Sequence, residues 1–293
     1  MSIPKKKIDE IRMRLRLEPS IKDVYVEGRF DRDLYQWDLR NRGLHDVRVY
    51  EISTVEVPAS LLAELGLTSG ERQRVQAAAA ALENDGDIHE RIVFVVDADM
   101  EYLRNLPGPV APLRRTPATS AEMIFWRPDV LGRFVEVGLG REHGAALVRK
   151  VMETIRPALI QICIFRAAKE ALGFNWSLAS VDECFDRKRG DISYETFLNK
   201  VAGQNGCHKA IANEMGEAIA AVSERAATLS ENQKIHGHDF LNAIAKALRS
   251  AGLDAQCLRD SDEITRLLLV SMEWATVKDD PSLTFLAEAL SSA

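Results

Sequence analysis

Two short apolar runs in the first hundred residues each end in acid. Residues 24–26 (Val-Tyr-Val) are followed by Glu27, and residues 92–96 are followed by Asp97 and Asp99. A run of apolar, β-branched residues is typical of a strand buried on both faces, as in a parallel sheet covered by helices. Because ligands of open α/β sheets bind at the carboxyl ends of the strands, the three acids are predicted to lie at a ligand-binding edge.

Asp97 and Asp99 are separated by a single residue. On an extended backbone both carboxylates would project in the same direction. Two carboxylates that close repel each other and stay ionised most readily when a cation lies between them. The expected cofactor is Mg²⁺, or Mn²⁺ in its place, because Mg²⁺ is usually held by one or two carboxylates together with water and phosphate.

The remaining pattern of the first half alternates between helix and strand. Helical spacing covers residues 31–42, 58–66 and 69–84, and alternation of apolar and polar residues predicts a strand over 47–52. Short connections between these elements predict right-handed crossovers. The fold class is therefore predicted to be α/β, with a mostly parallel sheet flanked by helices. Asp31 can also be interpreted as a simple helix cap.

The second half of the chain has a helical pattern and predicts a helical C-terminal region. Three parts are expected: an N-terminal helical segment (1–20), an α/β domain (21–126) and the helical region (127–293). Pro157 should break or kink the long helix of that region. Its predicted helices cover residues 144–172, 193–201, 208–227, 238–250 and 261–275.

Several motifs together resemble a Toprim domain, which occurs in topoisomerases, bacterial primases, OLD-type endonucleases and some ribosomal-RNA maturases. They are Glu27-Gly28 after a strand, Asp-x-x-Leu-Tyr over 31–35, and Asp97-Ala98-Asp99 after a later strand. Residues 119–126 (Thr-Ser-Ala-Glu-Met-Ile-Phe-Trp) resemble the Ser-Ile-Glu-Asn-Tyr-Leu stretch of an OLD-nuclease-related Toprim-like group. That group includes phage-defence effectors that accompany an ABC-type ATPase.

The same group has a later Gly-Lys-Asp-Leu-Leu segment, which residues 237–241 resemble. Here His238 replaces the lysine. Arg114, Arg115 and His238 are the candidates for substrate binding, since the two arginines lie between Asp99 and Glu122 in the chain.

The resemblance implies roles for four acidic residues. Glu27 would be the general acid/base or the ligand of a second metal, and Asp97 and Asp99 would hold Mg²⁺. Glu122 would complete the acidic cluster or orient water. The implied activity is that of a metal-dependent endonuclease, which cleaves phosphodiester bonds in DNA or RNA, tRNA included, and acts as a regulated phage-defence effector.

The resemblance also implies partners. A nucleic acid would be the substrate, and an ABC-type ATPase would accompany the protein. The sequence leaves the oligomeric state open, with a homo-oligomer as one candidate. The sequence has no Gly-x-x-x-x-Gly-Lys-Ser/Thr loop, so the ATPase would be a separate protein.

Two other classes of function remain open. Acid at the end of a strand can be merely solvated, so the chain could be a catalytically silent Toprim-like binding or sensor module. A metal-dependent glycosyltransferase also uses an Asp-x-Asp motif after a strand to hold a nucleotide sugar, although that interpretation leaves Glu27-Gly28 unexplained.

The charge of the chain bears on how it could bind nucleic acid. The net charge of −6 argues mildly against a surface that binds nucleic acid without specificity. Basic clusters, including residues 187–189, are therefore interpreted as solvated faces.

The four cysteines are widely spaced and are expected to be buried, reduced thiols. His236 and His238 alternate, but no zinc site is expected there. The N-terminus lacks the apolar stretch of a signal peptide, and the longest apolar run, 158–165, is too short to span a bilayer, so a cytoplasmic protein with no membrane contact is predicted.

Overall fold

The computed structural model describes residues 5–86 and 88–291, apart from the side chain of Ala212. The first four residues of the predicted N-terminal segment and the last two of the C-terminal region lie outside the described residues. The chain divides into two compact units. The sheet unit comprises Met1–Ala98, Pro107–Pro117 and Glu273–Ala293, and the helical unit comprises Asp99–Leu106 and Ala118–Met272. The domain boundaries after residues 20 and 126 stay predictions.

The elements follow one another closely along the chain. The strands are β1 (Lys6–Lys7), β2 (Lys22–Val26), β3 (Val47–Glu51), β4 (Val55–Glu56), β5 (Ile92–Val96), β6 (Leu113–Arg115), β7 (Phe185–Asp186) and β8 (Asp191–Ile192). The helices are α1 (Ile8–Leu17), α2 (Arg29–Asn41), α3 (Ala59–Glu64), α4 (Glu71–Leu82), α5 (Glu101–Arg104), α6 (Pro128–Arg133), α7 (Gly144–Ala171), α8 (Tyr194–Asn205), α9 (His208–Asn213), α10 (Met215–Ala226), α11 (Gly237–Ser250), α12 (Ser261–Ser271), α13 (Trp274–Val277) and α14 (Pro281–Ser291).

Four parallel strands form the main sheet, in the order β3-β2-β5-β6. The predicted α/β class, with a mostly parallel sheet and a helical C-terminal region, is confirmed. After β2 the chain passes to β3 on one side, and it later returns to β5 on the other side. The strand order therefore reverses between β2 and β5, which is the point where open α/β sheets bind their ligands.

The core of the sheet unit is built on an aromatic stack. Tyr25 stacks between Tyr50 and Phe94, with ring centroids 5.4 Å and 5.2 Å away. These residues occupy directly paired positions on β3, β2 and β5, so the register of the strands creates the stack. Helices α1 and α4 contribute the apolar side chains of the same cluster: Ile8, Ile11, Leu15, Val75, Ala78, Ala79 and Leu82.

The end of the chain belongs to the sheet unit as well. Helix α14 packs against α2, where the rings of Tyr35 and Phe285 meet edge to face at 5.9 Å. The indole N–H of Trp274 donates to Oδ1 of the buried Asp38 at 2.9 Å. Arg42 also bonds to Asp38, at 2.8 Å. The carboxylate of Asp38 is therefore shared between α2 and the C-terminal segment.

The helical unit is organised around α7, which has 28 residues. Helices α6, α10 and α11 pack against it. The predicted break at Pro157 is wrong, because α7 continues through this residue as a single helix. Pro157 and Glu153 are both exposed, so the carbonyl left without an N–H partner faces water.

Two other helix predictions need correction. The segment 208–227, predicted as one helix, is divided into α9 and α10 at Glu214. The segment 261–275, predicted as one helix, is interrupted after Ser271, because Met272 takes an extended conformation, and α13 then begins at Trp274. The expectation of buried, unpaired cysteines is confirmed for all four. None of the helices described is long and apolar enough to cross a membrane.

Candidate active site

In the sheet unit, Glu27 and Asp97 come together where the strand order reverses. Glu27 directly follows β2, and Asp97 directly follows β5. Oε1 of Glu27 accepts a hydrogen bond from the backbone N–H of Asp97 at 2.9 Å. The next N–H, that of Ala98, donates to Oγ1 of Thr116 at 3.0 Å. Side chains that follow β2 and β6, the strands on either side of β5, thus fix the backbone around Asp97.

The residues after Glu27 begin a helix. Oδ2 of Asp31 accepts a hydrogen bond from the backbone N–H of Gly28 at 3.0 Å, so the interpretation of Asp31 as a cap of α2 is confirmed. In the first turn of α2, Arg32 bonds to Asp33 at 2.7 Å and also pairs with Glu51. Glu51 ends β3, and its charge is therefore partnered rather than merely solvated.

Asp99 belongs to the helical unit and has an unusual backbone. Its φ is +46°, in the left-handed region, and its N–H donates to the carbonyl of Thr119 at 2.7 Å. The extended backbone predicted through Asp99 is therefore wrong, because a positive φ turns the chain. A left-handed conformation costs an L-residue about 1–2 kcal/mol. Such strain at a polar residue is a recognised feature of functional sites.

Thr119 joins three segments of the helical unit. Besides accepting from Asp99, it donates its N–H to the carbonyl of Asn232 at 2.8 Å. Its hydroxyl donates to the carbonyl of Ile235. Thr119 is fully buried, so these bonds are shielded from water. One threonine therefore fixes the turn at Asp99 and the segment that leads into α11.

These bonds bring together two pairs of carboxylate and imidazole. Nε2 of His236 lies 3.6 Å from Oδ1 of Asp99, and Nδ1 of His238 lies 3.9 Å from Oε1 of Glu122. The two imidazole rings are 5.5 Å apart. The side chain of Glu122 is almost completely buried, whereas that of His238 is 70% exposed. We name Asp99, Ser120, Glu122, His236 and His238 the acid–histidine cluster.

Several buried atoms of this cluster lack hydrogen-bond partners. Among the residues that the structure describes, Oγ of Ser120, Oε2 of Glu122 and Nδ1 of His236 are buried without one. A Cβ on Gly237 would lie 2.0 Å from Oγ of Ser120 and 3.1 Å from Oε2 of Glu122. Only glycine allows α11 to approach so closely. Because buried polar atoms are normally paired, unpaired atoms grouped in this way indicate a binding site.

An ion pair joins the start of α11 to α7. Arg166 on α7 makes a two-pronged ion pair with Asp239, with Nη2 3.1 Å from Oδ1. Burial, together with the charge of Asp239, raises the pKa of the neighbouring Cys163 thiol to about 12. A thiol that keeps its proton is a poor nucleophile. The ion pair and Cys163 therefore support the cluster structurally.

The two arginine candidates lie on β6 in the sheet unit. Arg114 and Arg115 pair with Val95 and Val96 of β5. Successive side chains of a strand project to opposite faces of the sheet. The two arginines therefore offer separate positive charges rather than one paired cluster.

The carboxylates fit a hard divalent cation. Within residues 5–86 and 88–291, no group of three or more His, Cys, Asp or Glu side chains is arranged to hold a metal. Mg²⁺ does not require such a group, because one or two protein carboxylates, completed by water and phosphate, are its usual ligands. The buried and unpartnered Oε2 of Glu122 is the type of oxygen that a cation would satisfy.

Two members of the cluster, Ser120 and His236, are not among the site residues that the sequence predicts. The available signal was the pattern His236-Gly237-His238, in which two imidazoles flank a glycine at the start of a predicted helix.

Comparison with known proteins gives no matching family model and no similar curated protein. The resemblance to Toprim domains, and the ATPase partner that it implies, therefore stay predictions. The function has to be argued from the residues and their geometry.

Proposed function

We propose that the protein is a Mg²⁺-dependent nuclease that cleaves phosphodiester bonds in DNA or RNA. The observation that carries this proposal is the pair of acids at the reversal of strand order, where Oε1 of Glu27 accepts a 2.9 Å hydrogen bond from the backbone N–H of Asp97. Open α/β sheets bind their ligands at this point. Carboxylates there suit a ligand that arrives with a divalent cation, as phosphate esters commonly do.

Asp97 and Asp99 are the residues proposed to hold the cation, because only Ala98 separates them in the chain. When bound, Mg²⁺ would neutralise charge on the phosphate and lower the pKa of a bound water. The 2.9 Å bond from Glu27 fixes the backbone of Asp97 and so limits where its carboxylate can point. We assign Glu27 the role of a general base that takes a proton from the attacking water, because its carboxylate lies beside Asp97 at the reversal of strand order.

The acid–histidine cluster supports a role in proton transfer. Imidazole gains and loses protons near neutral pH, which is why histidine so often acts as an acid or a base. The ring of His238 is 70% exposed, and its Nδ1 lies 3.9 Å from Oε1 of the buried Glu122. We propose that His238 delivers a proton to the leaving oxygen.

The proposal is tested by incubating the purified protein with labelled DNA, tRNA and ribosomal RNA in Mg²⁺, Mn²⁺ or EDTA. Cleavage is expected with either metal and not with EDTA. Glu27→Gln is expected to slow cleavage by at least about 100-fold, the usual scale of general acid–base catalysis. Glu217→Gln, a change at an exposed residue of α10, is the matched control.

The proposal fails if no substrate is cut with either metal, or if Glu27→Gln and Asp97→Asn cut as fast as the control. Hydrolysis of a nucleotide sugar by such a protein would favour the glycosyltransferase. Metal binding without any hydrolysis would favour the silent module.

A further inference from the structure

Basic side chains surround two adjoining recesses of the helical unit. The recesses have volumes of about 380 Å³ and 190 Å³ and share Arg187 and Ser250 in their walls. We call them together the basic groove. Its cationic side chains are Lys150, Arg187, Lys188, Arg189, Lys246, Arg249 and Arg259. Asp254 is the sole acidic residue among the described residues that line it.

The groove is built by three elements that are far apart in sequence. Arg187, Lys188 and Arg189 form the turn between β7 and β8, Lys246 and Arg249 lie near the end of α11, and Lys150 lies on α7. Some of these charges are paired locally. Arg189 lies 3.1 Å from Asp191, Lys246 lies 3.1 Å from Asp182, and Arg259 lies 2.8 Å from Asp254. These ion pairs hold the turn and the ends of the helices in place.

The other cations of the groove make no direct ion pair with the described residues, although Lys188 and Arg249 interact electrostatically with Asp186 and Asp254. Within the described part of the chain, the side chains of Lys150, Arg187, Lys188 and Arg249 make no hydrogen bond or ion pair. A position near the carboxyl end of a helix accounts for Arg249, because the helix dipole favours positive charge there. It does not account for the turn or for Lys150. In a chain with a net charge of −6, unpaired cations around a recess indicate a site for an anionic ligand.

We propose that the basic groove binds the sugar–phosphate backbone of a nucleic acid. Two recesses in a row, with Arg187 between them, match a ligand with repeated negative charges better than a single phosphate. Phe185 lines one recess and offers an aromatic ring for a base. The large apolar side chains that are exposed in the described residues lie elsewhere, at Val137, Leu172 and Val270 among others, so an anionic membrane is less well matched.

The choice of nucleic acid as the ligand rests on the proposed function, but binding in the groove does not require cleavage. The test is therefore carried out in EDTA, by fluorescence anisotropy with a labelled 20-nucleotide single-stranded RNA and the same sequence in DNA. The variant combines Arg187→Glu, Lys188→Glu and Arg249→Glu. The control combines Arg48→Glu, Lys209→Glu and Arg266→Glu, which change three exposed basic residues outside the groove.

The groove variant is expected to bind at least tenfold more weakly than wild type. The slope of log K against log salt should become less negative by about 2, since each lost phosphate contact removes about 0.7 for single strands. The control variant should bind within threefold of wild type. The proposal is overturned if the groove variant binds as tightly as the control, or if phosphatidylserine vesicles bind through the groove and the oligonucleotides do not.

Two further measurements separate this proposal from that of cleavage. If the triple variant does not fold, Arg187→Gln with Lys188→Gln, both in the exposed turn, should still weaken binding about threefold or more, and unchanged binding would overturn the proposal. Asp97→Asn should bind as wild type while cutting nothing. Binding through the groove by a wild-type protein that never cuts would reject the nuclease and leave the groove intact.

Discussion

Replacing Glu122 by glutamine should make the protein more stable and less active. Glu122 is 8% exposed, and its Oε2 has no hydrogen-bond partner among the described residues. A buried polar group left unpaired costs about 1–3 kcal/mol, and more when it is charged. Glutamine keeps the size of the side chain but cannot ionise, so it removes the cost of an unpaired charge at this buried position.

We therefore expect Glu122→Gln to raise the free energy of unfolding in EDTA by about 1 kcal/mol. For a chain of this size the melting temperature should rise by about 2 °C. Cleavage should fall by at least about 100-fold, because glutamine can neither carry the charge nor exchange a proton. A gain in stability together with a loss of activity is typical of a residue whose burial serves function.

Urea titration and calorimetry measure the first effect, and cleavage of the labelled substrates measures the second. Glu217→Gln, at an exposed position, should change stability by less than about 0.5 kcal/mol. A Glu122→Gln protein that unfolds more easily than wild type would refute the reasoning, because it would mean that the carboxylate is satisfied by the fold itself.

Three more outcomes follow from the geometry. Asp99→Gly should be about 1 kcal/mol more stable than Asp99→Ala in urea titrations, because a φ of +46° strains any residue with a Cβ, and equal midpoints would contradict this. Gly237→Ala should lower stability by about 1–3 kcal/mol through overpacking, and adding Ser120→Ala should recover part of the loss. Strictly additive effects would show that the 2.0 Å contact between the new Cβ and Oγ of Ser120 is unimportant. Stability should fall as pH rises from about 9 towards 12, because burial raises the pKa of Cys163 to about 12 while the unfolded thiol loses its proton from about pH 9. Cys163→Ala should flatten this decline when denaturation is measured at several pH values, and an unchanged slope would contradict the prediction.

The sheet was predictable because its signal is local. Residues 24–26 and 92–96 have no charged side chain, so a strand covered on both faces is the simplest structure for them. Helix α2 was predictable for a similar reason, since Asp31 caps it and apolar residues recur at helical spacing. Strands that alternate with helices then leave few topologies other than a parallel sheet.

The acid–histidine cluster was not predictable, because its contacts join distant parts of the chain. The hydroxyl of Thr119 bonds to the carbonyl of Ile235, 116 residues later, and no local pattern encodes that bond. The left-handed backbone of Asp99 was also missed. Aspartate only tolerates this conformation, whereas a glycine there would have signalled it.

The return of the chain's end to the sheet unit has a consequence for how the protein is made. The buried carboxylate of Asp38 needs the indole of Trp274, and Tyr35 needs the ring of Phe285. Trp274 lies 236 residues after Asp38 in the chain, so it leaves the ribosome well after the strands β2, β3 and β5. A nascent chain can therefore form the strands early but cannot complete the unit that holds Glu27 and Asp97. The unit that holds Glu27 and Asp97 is therefore completed only after Trp274 and Phe285 have been synthesised.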